Sequence, residues 1–202
     1  MLDVRPMTLE GRVARLEPLS QEHAAGLFAA ASDPSIWPYM PEDPSASLDA
    51  MSGWIERSLE ARARGTDLPF AIRWRATGEI AGSTRYLNIA ARDRGLEIGW
   101  TWLSATARRT ALNTECKYLL LRHAFERLGA IRVQLKTDRR NEVSQRAIAR
   151  LGAVREGVLR KHMIYPNGYQ RDSVMYSITD EEWPEVKARL EGMLGEGVPS
   201  AM

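Results

Sequence analysis

The chain contains few of the residues that build disulfide frameworks and metal sites. It has one cysteine, Cys116, which excludes an intramolecular disulfide and a zinc cluster of several cysteines. Its three histidines, His23, His123 and His162, show none of the spacing that is typical of a metal-binding helix. We therefore expect chemistry without a metal, and we interpret Cys116 and His123 as packing residues and His162 as a solvated strand residue.

Long apolar runs and a strong net charge are also missing. No apolar run reaches about 18 residues, so we expect no membrane-spanning helix, and residues 1–6 lack the apolar core of a secretory signal. The 28 Lys and Arg residues nearly balance the 26 Asp and Glu residues. No basic block carries interleaved aromatic residues, so we expect no nucleic-acid partner. These absences predict a cytoplasmic protein. The length of 202 residues predicts one domain over residues 1–202, and we expect a monomer or homodimer.

The chain does contain a regular succession of predicted strands and helices, and its 44% of hydrophobic residues are enough for a core. This order predicts an α/β (α+β) fold, a mixed sheet with helices on both faces. Gly99 predicts a bulge or a close approach inside its strand. The patterns predict strands over 11–19, 68–75, 80–89, 96–103, 131–137, 153–165 and 170–178, helices over 21–31, 48–64, 114–128, 141–151 and 180–193, a core over about 11–178 and a loose tail over 194–202.

One segment stands out between a predicted strand and the helix that follows it. It reads Arg-Arg-Thr-Ala-Leu-Asn-Thr-Glu over 108–115. The start of a helix exposes backbone N–H groups without partners and the positive end of the helix dipole, which together favour an anion such as a pyrophosphate. The alternative is a solvated basic turn that only caps the helix.

With these elements in order, the chain resembles the GNAT superfamily of acyl-CoA-dependent N-acetyltransferases. The resemblance is strongest to the RimJ/RimL-like branch, which contains the ribosomal-protein alanine and serine N-acetyltransferases. It implies a mostly antiparallel sheet of about seven strands with two central strands splayed apart. The residues that carry it are Leu96-Glu97-Ile98-Gly99-Trp100, Thr114-Glu115, the run from His123 to Gly129, Asn141 with Ser144, Leu151-Gly152-Ala153, Glu156-Gly157 and Arg171-Asp172.

The resemblance also implies the reaction and its substrates. The co-substrate would be acetyl-CoA, no metal would be needed, and the acceptor would be a primary amine, with a protein N-terminal amine favoured. A small-molecule amine or antibiotic is the alternative acceptor, and an acyl-CoA-binding protein without turnover is the alternative function. The pyrophosphate would be held by Arg108, Arg109, Thr110, Ala111, Leu112, Asn113 and Thr114. Here Ala111 and Asn113 stand where the family usually has glycine or a small residue, which puts tight CoA binding in question.

Four further positions receive roles from the resemblance. Glu97 would be the general base, because an alkylammonium with a pKa of about 10.4 must lose a proton before it attacks a thioester. Ser144 would meet the departing sulfur, Asn141 would bind the pantetheine arm, and the backbone of Leu103 would bind its amides. The alternatives are an exposed glutamate paired with an arginine, a plain surface serine and an N-cap asparagine.

The acceptor groove is expected among aromatic residues. Trp37 and Tyr39 lie in the segment from which the family builds one wall, and Tyr165 lies in the hairpin that would form the other. The alternative for each is an ordinary core residue.

Overall fold

The computed structural model describes residues 1–196. Within them the chain forms a single sheet of eight strands and five α-helices. The strands are β1 (Leu9–Glu10), β2 (Ala14–Pro18), β3 (Leu68–Trp74), β4 (Ile80–Ala90), β5 (Gly95–Leu103), β6 (Arg132–Asp138), β7 (Val154–Ile164) and β8 (Gln170–Thr179). The helices are α1 (Ala24–Ala30), α2 (Leu48–Ala63), α3 (Ala111–Arg122, continued by a π-helical turn over His123–Arg127), α4 (Glu142–Leu151) and α5 (Trp183–Glu196).

The strand order is β1-β2-β3-β4-β5-β6-β8-β7, and every neighbouring pair is antiparallel except β5 and β6. This confirms the predicted mixed fold. The eighth strand is β1, a two-residue strand that pairs with β2 through Leu9 and Leu16 and that the sequence pattern did not reveal. The last helix begins at Trp183, three residues later than predicted, because the carboxylate of Glu182 accepts the backbone N–H of Thr179 and holds the intervening turn. The predicted loose tail over 194–202 begins inside α5, and its remainder lies outside the described residues.

The two central strands separate after a short parallel contact. Only three pairs join β5 to β6, ending at Glu97 with Gln134. We call the space between the two strands beyond that pair the β5–β6 gap. The strand also changes course there, because Trp100 adopts a left-handed backbone with φ of 49° and the β4–β5 register shifts nearby. The bulge predicted at Gly99 is therefore present one residue later.

The two faces of the sheet carry different helices. On one face α3, α4 and α5 share a continuous apolar core with the strands. On the other face α1 and α2 cover β3 and β4 through a second apolar cluster that contains Trp37, Trp54 and Trp102. Because β5 and β6 are parallel, their carboxyl ends lie at the same edge of the sheet, and α3 and α4 both begin beside the β5–β6 gap.

Candidate functional site

The first turn of α3 has the features of an anion-binding site. Thr110 is its N-cap: the side-chain hydroxyl accepts the N–H of Leu112 at 3.2 Å and donates to the carbonyl of Ala107 at 2.8 Å. The N–H groups of Ala111 and Asn113 have no carbonyl partner within the helix, since the first turn of a helix leaves them free. No acidic side chain occupies this first turn. The helix end therefore offers donors and a positive dipole to a phosphate group.

The backbone of this loop accommodates the residues that stand in place of the family's glycines. The left-handed residue is Arg109, with φ of 61°, whereas Ala111 and Asn113 lie in the regular first turn of α3. Neither position needs the torsions that only glycine adopts easily. Ala111 adds only a methyl group at a half-exposed position, so the replacements leave the helix end intact.

Several side chains that were expected to bind the pyrophosphate instead contact other parts of the protein. Arg108 donates to the carbonyl of Leu103 at 3.1 Å and to the hydroxyl of Ser35 at 2.7 Å, which ties the loop to the segment before α2. Leu112 is fully buried in the core. Thr114 is buried as well and accepts a hydrogen bond from Arg150 of α4. Of the two arginines, only Arg109 is exposed.

Leu103 presents its main chain to the β5–β6 gap. The next residue, Ser104, donates its N–H to the carbonyl of Ala81 on β4. Because backbone groups alternate in direction along a strand, those of Leu103 point away from β4 and toward the gap. Among residues 1–196 no strand pairs with this side of β5 beyond Glu97. The carbonyl of Leu103 already accepts from Arg108, so its N–H is the group that remains available to an extended partner, as in the addition of an edge strand.

Glu97 is buried and held by three donors. Its side chain is 2% exposed, and Oε2 accepts from Asn88 at 2.9 Å, Gln134 at 3.0 Å and Lys136 at 2.9 Å. It is therefore not the exposed, arginine-paired residue of the alternative.

The second carboxylate oxygen of Glu97 is the reactive candidate. Oε1 has no hydrogen-bond partner among residues 1–196. It lies over Gly99, where an added Cβ would sit 3.2 Å from it. A glycine at this position leaves the oxygen room for a water or an amine.

The start of α4 carries the next two predicted residues. Asn141 is the N-cap, and its Oδ1 accepts the N–H of Ser144 at 3.0 Å. The capping alternative is therefore present, while the Nδ2 group of Asn141 and the hydroxyl of Ser144 make no hydrogen bond within residues 1–196. Ser144 is the hydroxyl-bearing residue of α4, in its first turn. One turn later Ile148 is buried in the core.

Of the predicted aromatic residues, Trp37 and Tyr165 are buried and Tyr39 is half-buried. Trp37 is 7% exposed, donates its indole N–H to the carbonyl of Ala31 and packs 5.3 Å from Trp102, which favours the packing alternative. Tyr165 donates its hydroxyl to the backbone carbonyl of Tyr39 at 2.9 Å. The two predicted walls therefore meet.

The sequence reasoning did not identify the polar partners of these residues. Gln134 and Lys136 hold Glu97, and Arg140 stacks over Tyr169 at 3.7 Å. Alternation along β6 could have indicated the first two, because Gln134 and Lys136 alternate with the buried Val133, Leu135 and Thr137.

Comparison with known proteins decides the family. The family model described as the acetyltransferase (GNAT) domain matches residues 14–154. The chain belongs to the GNAT acetyltransferase family.

Three relatives illustrate its extent. The crystal structure of a GCN5-related N-acetyltransferase from Brucella melitensis is 30% identical and superposes with a TM-score of 0.91, over 98% of this chain and 90% of that one. The uncharacterised N-acetyltransferase YoaA of Bacillus subtilis (strain 168) is 26% identical over 163 residues, 81% of this chain and 91% of YoaA. YdaF of the same organism, provisionally named a ribosomal N-acetyltransferase, is 31% identical over 106 residues, 52% of this chain and 57% of YdaF.

The GNAT fold uses acetyl-CoA, and the residues around the β5–β6 gap fit that co-substrate. The helix end of α3 suits the pyrophosphate, and the backbone N–H of Leu103 suits an amide carbonyl of the pantetheine arm. Within the described residues no cluster of three or more histidine, cysteine or acidic side chains could hold a metal ion. In that same part of the chain no helix is both long and apolar enough to cross a membrane.

Proposed function

We propose that this GNAT acetyltransferase transfers the acetyl group of acetyl-CoA to a protein N-terminal amine. The observation that carries the proposal is Glu97, a buried carboxylate with one free oxygen, on the strand whose main chain faces the β5–β6 gap. A carboxylate there can take a proton from an ammonium group, directly or through a water, before the amine attacks the thioester.

The reaction is a direct transfer within a ternary complex. The amine nitrogen forms a bond to the acetyl carbon, the carbon–sulfur bond breaks, and the electron pair leaves with the sulfur of CoA. Glu97 keeps the proton that it took from the ammonium group. The second proton that the nitrogen releases after the attack protonates the departing sulfur, to which Ser144 donates a hydrogen bond. Backbone donors near Leu103 polarise the thioester carbonyl.

The choice of a protein N-terminus rests on two supports. The provisional name of YdaF concerns a ribosomal substrate. In addition, Asp138 at the end of β6 is a buried carboxylate next to the aromatic hairpin: it is 1% exposed, Tyr169 donates to its Oδ1 at 3.3 Å, and its Oδ2 has no hydrogen-bond partner among the described residues. Such an acceptor suits the N–H groups of an amine terminus.

Two measurements test this function. Acetyl-CoA should raise the melting temperature (Tm) by mass action, whereas a chain without a CoA site would show no shift. Release of free CoA thiol is then followed with peptides that begin with alanine or serine, and with the same peptides blocked at the N-terminus but containing lysine. Polyamines and aminoglycoside antibiotics form the third set. Thiol release only with peptides that have a free N-terminus supports the proposal. Thiol release only with polyamines or aminoglycosides would mean that the acceptor is a small amine. A rise in Tm with acetyl-CoA but no thiol release would mean that the protein binds acetyl-CoA without turnover.

A further inference from the structure

A buried lysine lies beside β5 without a counter-charge. Lys117, in the second turn of α3, is 6% exposed. Among residues 1–196 no carboxylate oxygen lies within 4.0 Å of its amino group. An ammonium group removed from water costs several kcal/mol unless a charge partner offsets it. Packing alone therefore does not explain this residue, because a methionine would fill similar space without the cost.

The one hydrogen-bond partner of Lys117 links it to the gap. Its Nζ donates to the hydroxyl of Thr101 on β5 at 2.5 Å. Thr101 lies two residues before Leu103, whose main chain faces the β5–β6 gap, within the stretch between Gly99 and Trp102 where the β4–β5 register shifts. Thr101 in turn shares a hydrogen bond with Thr84 of β4 at 2.8 Å, which fixes the orientation of its hydroxyl.

The amino group of Lys117 remains mostly protonated at neutral pH. Burial lowers the pKa of Lys117 from 10.5 to about 8, so the protonated form dominates at pH 7. In a dry interior a fixed charge acts over a longer distance than in water. The Lys117 ammonium thus lies against Thr101 of β5, two residues before Leu103, whose main chain faces the proposed path of the thioester.

We propose that Lys117 is a positioning residue for acetyl transfer, whose ammonium, held on Thr101, stabilises the negative charge that develops on the thioester oxygen and then on the departing sulfur. Lys117 forms and breaks no bond in this step, and the amine proton still passes to Glu97. The negative charge that Lys117 lacks as a partner develops only during the reaction, on the thioester oxygen and the sulfur. The ammonium therefore stabilises the transition state more than the ground state. The inference rests on the proposed acetyl transfer.

The test compares activity with stability in the same variants. Lys117→Met should lower kcat by at least about tenfold, as expected for losing a preorganised charge, with the KM for acetyl-CoA changed by less than about threefold. At the same time it should raise the Tm of the ligand-free protein by about 3 °C or more, because it removes a buried charge without a partner. Thr101→Val should lower kcat, and Thr101→Ser should restore it by returning the hydroxyl.

A matched control separates this effect from a general loss of charge. Lys187→Met removes a lysine on α5 that pairs with Glu126 at 2.8 Å and is about one-third exposed, and it should neither raise the Tm nor lower kcat. The inference is overturned if Lys117→Met retains kcat within twofold of the wild type, or if kcat and Tm fall together. A wild-type protein that releases no thiol with any amine would instead refute the proposed function, and the inference would fall with it.

Discussion

Two buried charges lie on opposite faces of β5 and have very different partners. The carboxylate of Glu97 accepts from two amides and from Lys136, so its charge is matched within the protein. The ammonium of Lys117 has one hydroxyl. The first arrangement is understandable from stability alone. The second costs stability, and costs of this kind are typical of functional sites.

Glu97→Gln should have the largest effect on the carboxylate side. The amide keeps the shape but cannot accept the amine proton, so kcat should fall by about 10²–10⁴-fold while the Kd for acetyl-CoA changes little. Steady-state thiol release and a CoA titration measure the two quantities. Unchanged turnover would remove Glu97 from the mechanism.

A half-buried glutamate provides the control for this substitution. Glu17 on β2 pairs with Arg73 at 2.8 Å and with His23 at 3.0 Å, and its hydrogen bond with Arg73 is the largest cause that lowers its pKa to about 2. Glu17→Gln should therefore reduce stability but leave kcat in place, because Glu17 lies away from the β5–β6 gap. A similar loss of kcat in both variants would mean that the Glu97 effect is structural.

The same substitution on the two lysines should change stability in opposite directions. Lys136→Met leaves the buried carboxylate of Glu97 without its cation and should reduce the free energy of unfolding by about 3 kcal/mol, whereas Lys117→Met should increase it. Urea denaturation of both variants measures the difference. If both lose stability, Lys117 has a partner that makes it a structural residue, and the contrast between the two faces disappears.

The pH dependence of stability should reveal the Lys117 charge directly. Its folded-state pKa of about 8 lies below the ordinary value of 10.5, because burial disfavours the charged form. Below pH 8 both states are protonated and the cost is fully present. Between pH 8 and 10.5 the folded state loses the proton that the unfolded state keeps, so stability rises with pH.

The Tm difference between wild type and Lys117→Met should consequently shrink from pH 7 to pH 10. The neighbouring thiol of Cys116 has a pKa that burial raises to about 12 and that the Lys117 charge lowers. Removing the lysine raises this pKa further, so the thiol stays protonated in both folded proteins up to pH 10 and contributes equally to the comparison. A constant difference over this range would show that the amino group does not titrate there.

How far the sequence predicted these sites depends on the range of the interactions. The cap at Asn141 and the bulge near Gly99 follow from residues within one turn or one strand, and both were predicted. The third helix was predicted to begin at 114, whereas it begins at Ala111 with Thr110 as its N-cap. Two partners of Glu97, Gln134 and Lys136, lie 37 and 39 residues away in sequence, so the register of strand pairing decided them, and no local pattern showed that Lys117 would point at Thr101 rather than at a carboxylate.

The smallest predicted effect separates the two roles of Asn141. Asn141→Ala removes the cap on Ser144 and should cost about 1 kcal/mol of stability, and it should also weaken acetyl-CoA binding by removing the Nδ2 donor. Asn141→Ser retains a cap of similar strength without that donor. The serine variant should therefore keep the ligand-free Tm while losing part of the stabilisation by acetyl-CoA. If it keeps both, the side chain of Asn141 serves the helix alone, and the pantetheine arm is held by main chain.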